Sequence, residues 1–375
     1  MKLKDEQDIY TYWLCTYTNL NYKKLSAVIE YFKCPKDFFF ASEKALKDVK
    51  EYCRSKGITI TDRETAAIIT SRKPDNLKKN LSFLKERRIG YITVFDEAYP
   101  DKLRHIYDPP VILYFKGNPL PFGKKSLAVV GARNCSSYGK EIARYLAGSI
   151  AKEGIVIISG LARGIDSYAH AGAVSAGGST YAVLGCGIDI CYPAENINLY
   201  MDIQKQGGII SEYGPGIKPL PYHFPMRNRI ISALSDGILV IEAGEKSGSL
   251  ITVDMGLDQG KNIYAVPGRI TDKLSLGCNN LIKMGAKVVT SPSDVLEDLI
   301  ACYSADESGQ LNIKEALVEE ERIIYQLLSL TPRHIEEISQ MSQMPIDKLM
   351  EIMLSMELKD MVAQPLKNYY VRKQV

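Results

Sequence analysis

Residues 126–139 read SLAVVGARNCSSYG. An apolar run from Leu127 to Val130 stops on Gly131, a polar loop carrying Arg133, Ser136 and Ser137 follows, and Gly139 opens a long helical pattern. A strand that ends on glycine and hands over to a helix N-terminus leaves backbone N–H groups pointing outward, a seat for phosphate. Arg133 adds a fixed positive charge to it. The same alternation continues downstream. Apolar runs IVIISG (155–160), TYAVLG (180–185), GIISE (208–212), GILVIEA (237–243), NIYAVPG (262–268) and KVVT (287–290) are separated by helical stretches at about 139–153, 166–176, 195–205, 225–234, 249–259 and 277–284. Runs apolar on both faces and spaced by helices give a parallel sheet covered on both sides, so the expected class is α/β with a doubly wound, mostly parallel sheet. The strand ends Gly131, Gly160, Gly185, Gly268 and Glu242-Ala243-Gly244 then share one rim, and ligands bind outside such a rim.

On the N-terminal side, residues 6–70 read as helices. Leu25, Val28, Ile29 and Phe32 recur at helical spacing after Asn19-Leu20-Asn21, and Pro35 is expected to stop that helix. The cluster Tyr10, Tyr12, Trp13, Tyr17 and Tyr22 reads as the core of a small helical domain rather than a stacking platform. A further helix at 74–88 leads into short strands at 91–95 and 111–115. On the C-terminal side a capped helix, 293–301, closes the sheet, and the polar stretch YSADESGQ follows. Three helical patterns at 320–329, 334–341 and 345–361, then VAQPLKNYYVRK as a hairpin, suggest a winged-helix module. The expected domains are 1–72 (helical), 73–301 (sheet), 302–313 (linker) and 314–375 (winged helix).

With 375 residues, two or three domains are expected. No window approaches the roughly 18 uncharged apolar residues of a membrane span, and the N-terminus lacks an apolar signal core. The eight cysteines form no C-x-x-C pair, which points to reduced thiols in a cytoplasmic protein. The net charge of +3 hides a gradient: residues 1–80 carry +5 and residues 302–375 carry −4. A polyanion is therefore expected to meet the N-terminal and central parts. The last helical pattern holds Asp347, Glu351, Glu357 and Asp360 against Lys348 and Lys359, a charge that repels phosphate, so the module reads as a protein-contact or self-association element.

Four constellations converge on the rim. The first is Arg133 with Ser136, Tyr138 and Gly139. The second runs from Ser159 and Gly160 through Arg163 to Asp166, with His170 one turn on; Asp166 is expected to cap its helix. The third is Tyr222-His223-Phe224-Pro225-Met226-Arg227-Asn228-Arg229. Pro225 suits a first helical turn, and two arginines there oppose the helix dipole until an anion binds. Being two apart, they face different ways, and one is expected to reach ligand while the other pairs internally, with Glu242 as the candidate. The fourth is 242–252, where Ser247 and Ser249 flank Gly248 and Ser249 is the expected N-cap. Tyr138, Tyr192, Tyr222 and Phe224 lie close enough in sequence to these loops to stack bases, and aromatic faces beside phosphate seats suit single-stranded nucleic acid. A dinucleotide fingerprint fails because Arg133 stands where the second glycine belongs, and the second strand ends in Ser159-Gly160 without an acidic residue for a ribose. No cofactor is expected. Walker A, H-E-x-x-H and G-x-S-x-G are also missing.

The segments GARNCSSYG, SGLARGIDSYAH, FPMRNRIISALSDGILVIEA, SGSLITVDMGLDQGKNIYAVPG and GCNNLIKMGA, in this order, resemble the DNA-processing protein A (DprA/Smf) family over about residues 75–295. The tail resembles the winged-helix domain of many members, and the N-terminal helices resemble their SAM-like or helix-hairpin-helix-like domain. The resemblance implies a cytoplasmic protein with a Rossmann-like domain, homodimeric through that domain. It would bind single-stranded DNA and load the RecA recombinase in recombination during natural transformation. It implies no catalytic or metal residues. DNA-binding positions would be Arg133, Ser136, Tyr138, Gly139, Ser159, Gly160, Arg163, Phe224, Arg227, Asn228, Arg229, Ser247 and Ser249. The alternative is a nucleotide phosphoribohydrolase-like enzyme on the same rim, with Arg133 holding a 5′-phosphate and Glu242 assisting cleavage; the P-G-G-x-G-T loop of those enzymes is missing.

Overall fold

The computed structural model describes residues 6–119, 123–307, 319–328, 333–358, 362–366 and 368–372. They fall into two compact units, Met1–Leu299 and Ile300–Val375. The first is built on nine strands: β1 (Gly90–Thr93), β2 (Ile112–Gly117), β3 (Ser126–Val130), β4 (Val156–Ser159), β5 (Thr180–Leu184), β6 (Gly208–Ser211), β7 (Gly237–Val240), β8 (Asn262–Ala265) and β9 (Lys287–Val288). Their spatial order is β1-β2-β6-β5-β4-β3-β7-β8-β9. From β6 to β9 every neighbouring pair is parallel, in keeping with the sequence pattern. The two short early strands add an antiparallel edge, with Tyr114 opposite Ser211. The chain winds outward from β3 to β6, returns to lay β7 on the other side of β3, and winds outward again. That reversal between β3 and β7 is a topological switch point.

Helices cover both faces because the strands are apolar on both. Leu127, Val129, Ile157 and Leu239 pack under α8 (Ser137–Lys152) and α9 (Ile165–Ser175). On the other face Val130, Ile158, Val183 and Ile238 meet α11 (His223–Leu234), α12 (Ser249–Asp258) and α13 (Leu276–Lys283). Two further helices are α7 (Asp101–Arg104), between β1 and β2, and α10 (Ile197–Gln206), ahead of β6. Six helices precede the sheet: α1 (Glu6–Tyr17), α2 (Tyr22–Phe32), α3 (Pro35–Phe39), α4 (Glu43–Ser55), α5 (Asp62–Ser71) and α6 (Pro74–Glu86). Asn21 caps α2 by accepting from Lys24 N, and Thr61 with Glu64 forms a capping box on α5. Lys33, in the left-handed region at φ 61°, ends α2, so Pro35 opens the next helix instead of stopping the last. Trp13, Leu25 and Val28 are fully buried, and each such burial stabilises by about 1.5–3 kcal/mol. They belong to one core with Tyr114, Leu184 and Ile209 of the sheet.

After β9, α14 (Ser293–Glu307) runs past Ala301, where the sequence reading ended it, because the first helix breaker is Gly309. Residues 308–318, which hold the rest of the expected linker, lie outside the described residues. The second unit holds helices Glu319–Leu327, Ile335–Ser342 and Ile346–Leu358 and a three-stranded sheet in the order β10 (Arg333–His334), β12 (Tyr369–Arg372), β11 (Val362–Leu366). This is the winged helix expected from the tail. Its third helix buries Leu349, Met353 and Met356 and exposes Ile346, Met350 and Leu354, one row at four-residue spacing.

Candidate nucleic-acid cleft on the sheet rim

A cleft of about 590 Å³ opens over the switch point, lined by the end of β3, the loop that follows β7 and the opening turns of α9, α11 and α12. Arg133 stands exposed at its mouth, its guanidinium 5.7 Å from the centre of the Phe224 ring, and Phe224 in turn lies 5.5 Å from the Tyr192 ring. A cation–π contact at a wet site contributes only about 0.5–1 kcal/mol, enough to orient Arg133 without consuming its charge. Arg133 makes no ion pair among the described residues, and neither does Lys246 across the cleft. Asn134, Asn228, Ser247, Ser249 and Thr252 supply neutral hydrogen-bonding groups.

Arg227 forms the floor. It is 5% exposed and donates from Nη1 to the Val183 carbonyl. Burial holds its pKa below the usual arginine value, with the Asp166 carboxylate pulling the other way. Asp166 does not cap α9; Gly164 takes that place at φ 74°, where a Cβ would collide with the carbonyls of Ala132 and Arg133. Asp166 Oδ2 instead accepts from Gly160 N at 3.1 Å, and burial pushes its carboxyl up against the pull of Arg227. His170 is not its partner: Nδ1 lies 2.7 Å from Thr180 Oγ1, and burial with the nearby Arg227 charge pushes the imidazole down to about 3. The Asp–His pair is therefore architecture. So is Gly160, where a side chain would occupy the space of the Arg227 guanidinium.

Other expected residues are placed differently. The helix holding Arg227 begins at His223, so Pro225 is its third residue and both arginines lie beyond its first four positions. They do face different ways, but Arg229 pairs with Glu212 (Nη2 to Oε1, 2.6 Å), not with Glu242. Glu242 is 5% exposed and sits at the head of α8, accepting from Ser136 N at 2.8 Å and from Ser136 Oγ. The anion seat there is thus filled by the protein's own carboxylate, as the helix dipole favours. Ser136 Oγ also caps α8 by accepting from Gly139 N, and Gly139 packs against Glu242. Ser159 is buried and donates to the Val129 carbonyl. Arg163 is exposed and doubly bonded to Glu195, at 2.8 and 3.1 Å. Tyr138 is half exposed on α8 and does not line the cleft. Ser249 is the first residue of α12 rather than its cap, which is Gly248, and its hydroxyl meets that of Ser247 at 2.8 Å. Of the expected set, Arg133, Phe224, Arg227, Asn228, Ser247 and Ser249 come together. Lys246 was missed, although a lysine inside the glycine–serine turn EAGEKSGS ahead of a helix was a readable signal.

A doubly wound sheet with an arginine-armed cleft at its switch point, carried with a winged helix, defines a Rossmann-like protein built to hold an anionic ligand outside its strand ends. The chain belongs to the family described as DNA recombination-mediator protein A, whose model matches residues 90–300, and residues 313–365 match the DprA winged helix domain. Among curated relatives, the DNA processing protein DprA of Streptococcus pneumoniae is 46% identical over 55% of this chain and 73% of its own length. That of Bacillus subtilis is 42% identical over 60% and 75%. The solved S. pneumoniae DprA matches with a TM-score of 0.66 at 35% identity, over 80% of this chain and 99% of that one. A Helicobacter pylori DNA processing protein A, whose structure was reported for its single-stranded DNA binding mode, matches with a TM-score of 0.52 at 30% identity, over 56% and 96%. A role in DNA processing and recombination follows from this membership. No helix among the described residues is long and apolar enough to cross a membrane.

Proposed function

We propose that this protein is a non-catalytic, cytoplasmic binder of single-stranded DNA that loads the RecA recombinase onto the strand, acting as a homodimer through its sheet domain. The observation that carries the DNA part is Arg133, exposed and unpaired among the described residues, lying over the Phe224 ring, which in turn meets Tyr192, with Lys246 across the cleft. Cations take the phosphates and the aromatic faces take the bases, a combination indifferent to sequence and suited to strands whose bases are unpaired. The H. pylori relative supports the ligand. Recombinase loading and the homodimer rest on the family resemblance. In this reading residues 73–301 hold the strand, 1–72 buttress the sheet, and 314–375, joined through 302–313, meet a protein. The exposed row Ile346, Met350 and Leu354 beside Asp347 and Glu351 suits such a partner better than it suits phosphate. The hydrolase reading asks Glu242 to meet a substrate, whereas its carboxylate is engaged in holding the α8 turn.

The test is a gel-shift series with single- and double-stranded oligonucleotides, with and without RecA. Single strands should bind with a strong salt dependence, and the protein should speed RecA filament formation. Equal affinity for both DNA forms would refute the strand preference. Release of free base from nucleoside monophosphates, abolished by Glu242→Gln, would restore the enzymatic alternative.

A further inference from the structure

A second cavity, about 840 Å³, lies on the same rim where α1 and α6 approach the ends of β6 and β2. Its chemistry is opposite to that of the cleft. Aromatic rings dominate its wall, among them Tyr12, Tyr17, Phe83, Tyr114, Tyr213 and Tyr222, and no lysine or arginine lines it. Its charged groups are the carboxylates of Asp189 and Glu212; Arg229 holds both oxygens of Glu212 from behind the wall, and Asp189 Oδ1 accepts from Gly216 N, which leaves the second oxygen of Asp189 as the acceptor facing a ligand. Such a site offers no cation to phosphate and suits a flat ring with an N–H donor at its edge, since aromatic faces stack on a ring and the Asp189 carboxylate accepts from an amino or imino group.

Two further observations point to an occupant. His223 is 5% exposed and lines this cavity, its ring stacked on Tyr213 at 4.0 Å, yet its Nδ1 has no hydrogen-bond partner. Buried polar atoms without partners are rare enough to call for one. Tyr222, beside it, is 64% exposed, its ring edge-on to that of His223 at 4.5 Å, and presents a face at the cavity mouth. The cavity is also joined to the cleft by one helix start: Tyr222 and His223 line the cavity, and Phe224 and Pro225 line the cleft. β6 and β3 are three strand spacings apart, about 14 Å along the rim, the span of a few nucleotides.

We propose that this cavity is a nucleobase pocket, which receives one unstacked base of a strand whose phosphates are held in the cleft. The proposal rests on the single-stranded DNA reading and assigns it a second contact point. The strand crosses the first turn of α11, one base turned inward onto Tyr213 and the backbone held at Arg133.

The test uses the full chain and single-stranded oligonucleotides carrying 5-iododeoxyuridine, with ultraviolet cross-linking and peptide mapping. Adducts are expected on Tyr213, Tyr222 or His223. Tyr213→Ala should weaken binding by about tenfold, the value of one base–aromatic stack. Tyr222→Ala, at an exposed position that leaves the fold intact, should lower the yield of those adducts severalfold. Cross-links confined to Tyr192 and Phe224, with both variants binding as the wild type does, would overturn the pocket and leave single-strand binding standing. Failure of the wild type to bind any single strand would remove the functional reading itself.

Discussion

The two ends of the central strands treat charge in opposite ways. At the N-terminal ends of β3 and β7, Asp236 accepts from Ser126 N at 2.8 Å and from Ser126 Oγ, and it pairs with Lys102 at 2.8 Å. Ser126, Asp236 and Lys102 thus satisfy one another, and the result is a clasp between two strands. At the C-terminal ends, Arg133 and Lys246 stand in a cleft without a counter-ion among the described residues. An unsatisfied charge contributes little to folding, and its place at a rim is explained by what it meets from outside. One end of the sheet serves stability and the other, in the proposed reading, serves binding.

The contrast is most open to attack at Arg227, which belongs to the rim but is buried with Asp166. Arg227→Leu should cost about 1.5–3 kcal/mol in urea denaturation by removing the charged bond to the Val183 carbonyl and the charge that offsets burial of Asp166, so here binding and stability fall together. A cost under 1 kcal/mol would mean that the guanidinium is there for ligand alone.

Asp236→Asn is expected to cost about 1–3 kcal/mol at pH 7 with DNA affinity unchanged. Burial alone would raise this carboxyl, but Lys102 and the Ser126 N–H hold it below its ordinary value. A depressed folded pKa contributes stability that is present above the unfolded value, about 3.9, and lost as pH falls through the folded one. The gap between wild type and variant should therefore be full at neutral pH and close below about pH 4, as thermal melts across pH would show. A gap that stayed constant into acid would assign the clasp to packing rather than charge.

Arg133→Ala should show the reverse: about a tenfold loss of single-strand affinity, a salt slope lower by about 0.7, and a melting curve like that of the wild type. Lys246→Ala should give a smaller loss, about threefold, because a flexible ammonium is less well placed than an arginine braced on an aromatic ring. Loss of thermal stability in either variant would blur the division between the two ends.

Strand existence and direction were readable because most runs are short, apolar on both faces and start or stop at glycine; KVVT, which yields only the two-residue β9, is the weakest of them. The helices between them began and ended within a few residues of the expected places. The antiparallel edge was not readable, since β1 and β2 carry no signal of their partner. At the rim, residue type revealed where charge would gather but not which charges would be spent. Arg227, Arg229 and Arg163 look alike in sequence, yet one is buried on a carbonyl, one is paired with Glu212 and one is tied to Glu195 on the surface. Their partners lie between 17 and 44 residues away in the chain, beyond any local pattern. Glu242 was misassigned for the same reason: only the folded chain brings it to the head of α8.

The contact between Gly160 and the Arg227 guanidinium ties two distant positions into one choice. A Cβ at 160 would overlap the Arg227 guanidinium, so a chain with a side chain there must move that guanidinium from its place or replace it. Across descendants of this fold a change at 160 should come with a change at 227 more often than alone. A pair of substitutions, each crippling alone, would then be a viable route by which the cleft floor exchanges its charge for a hydrophobic plug.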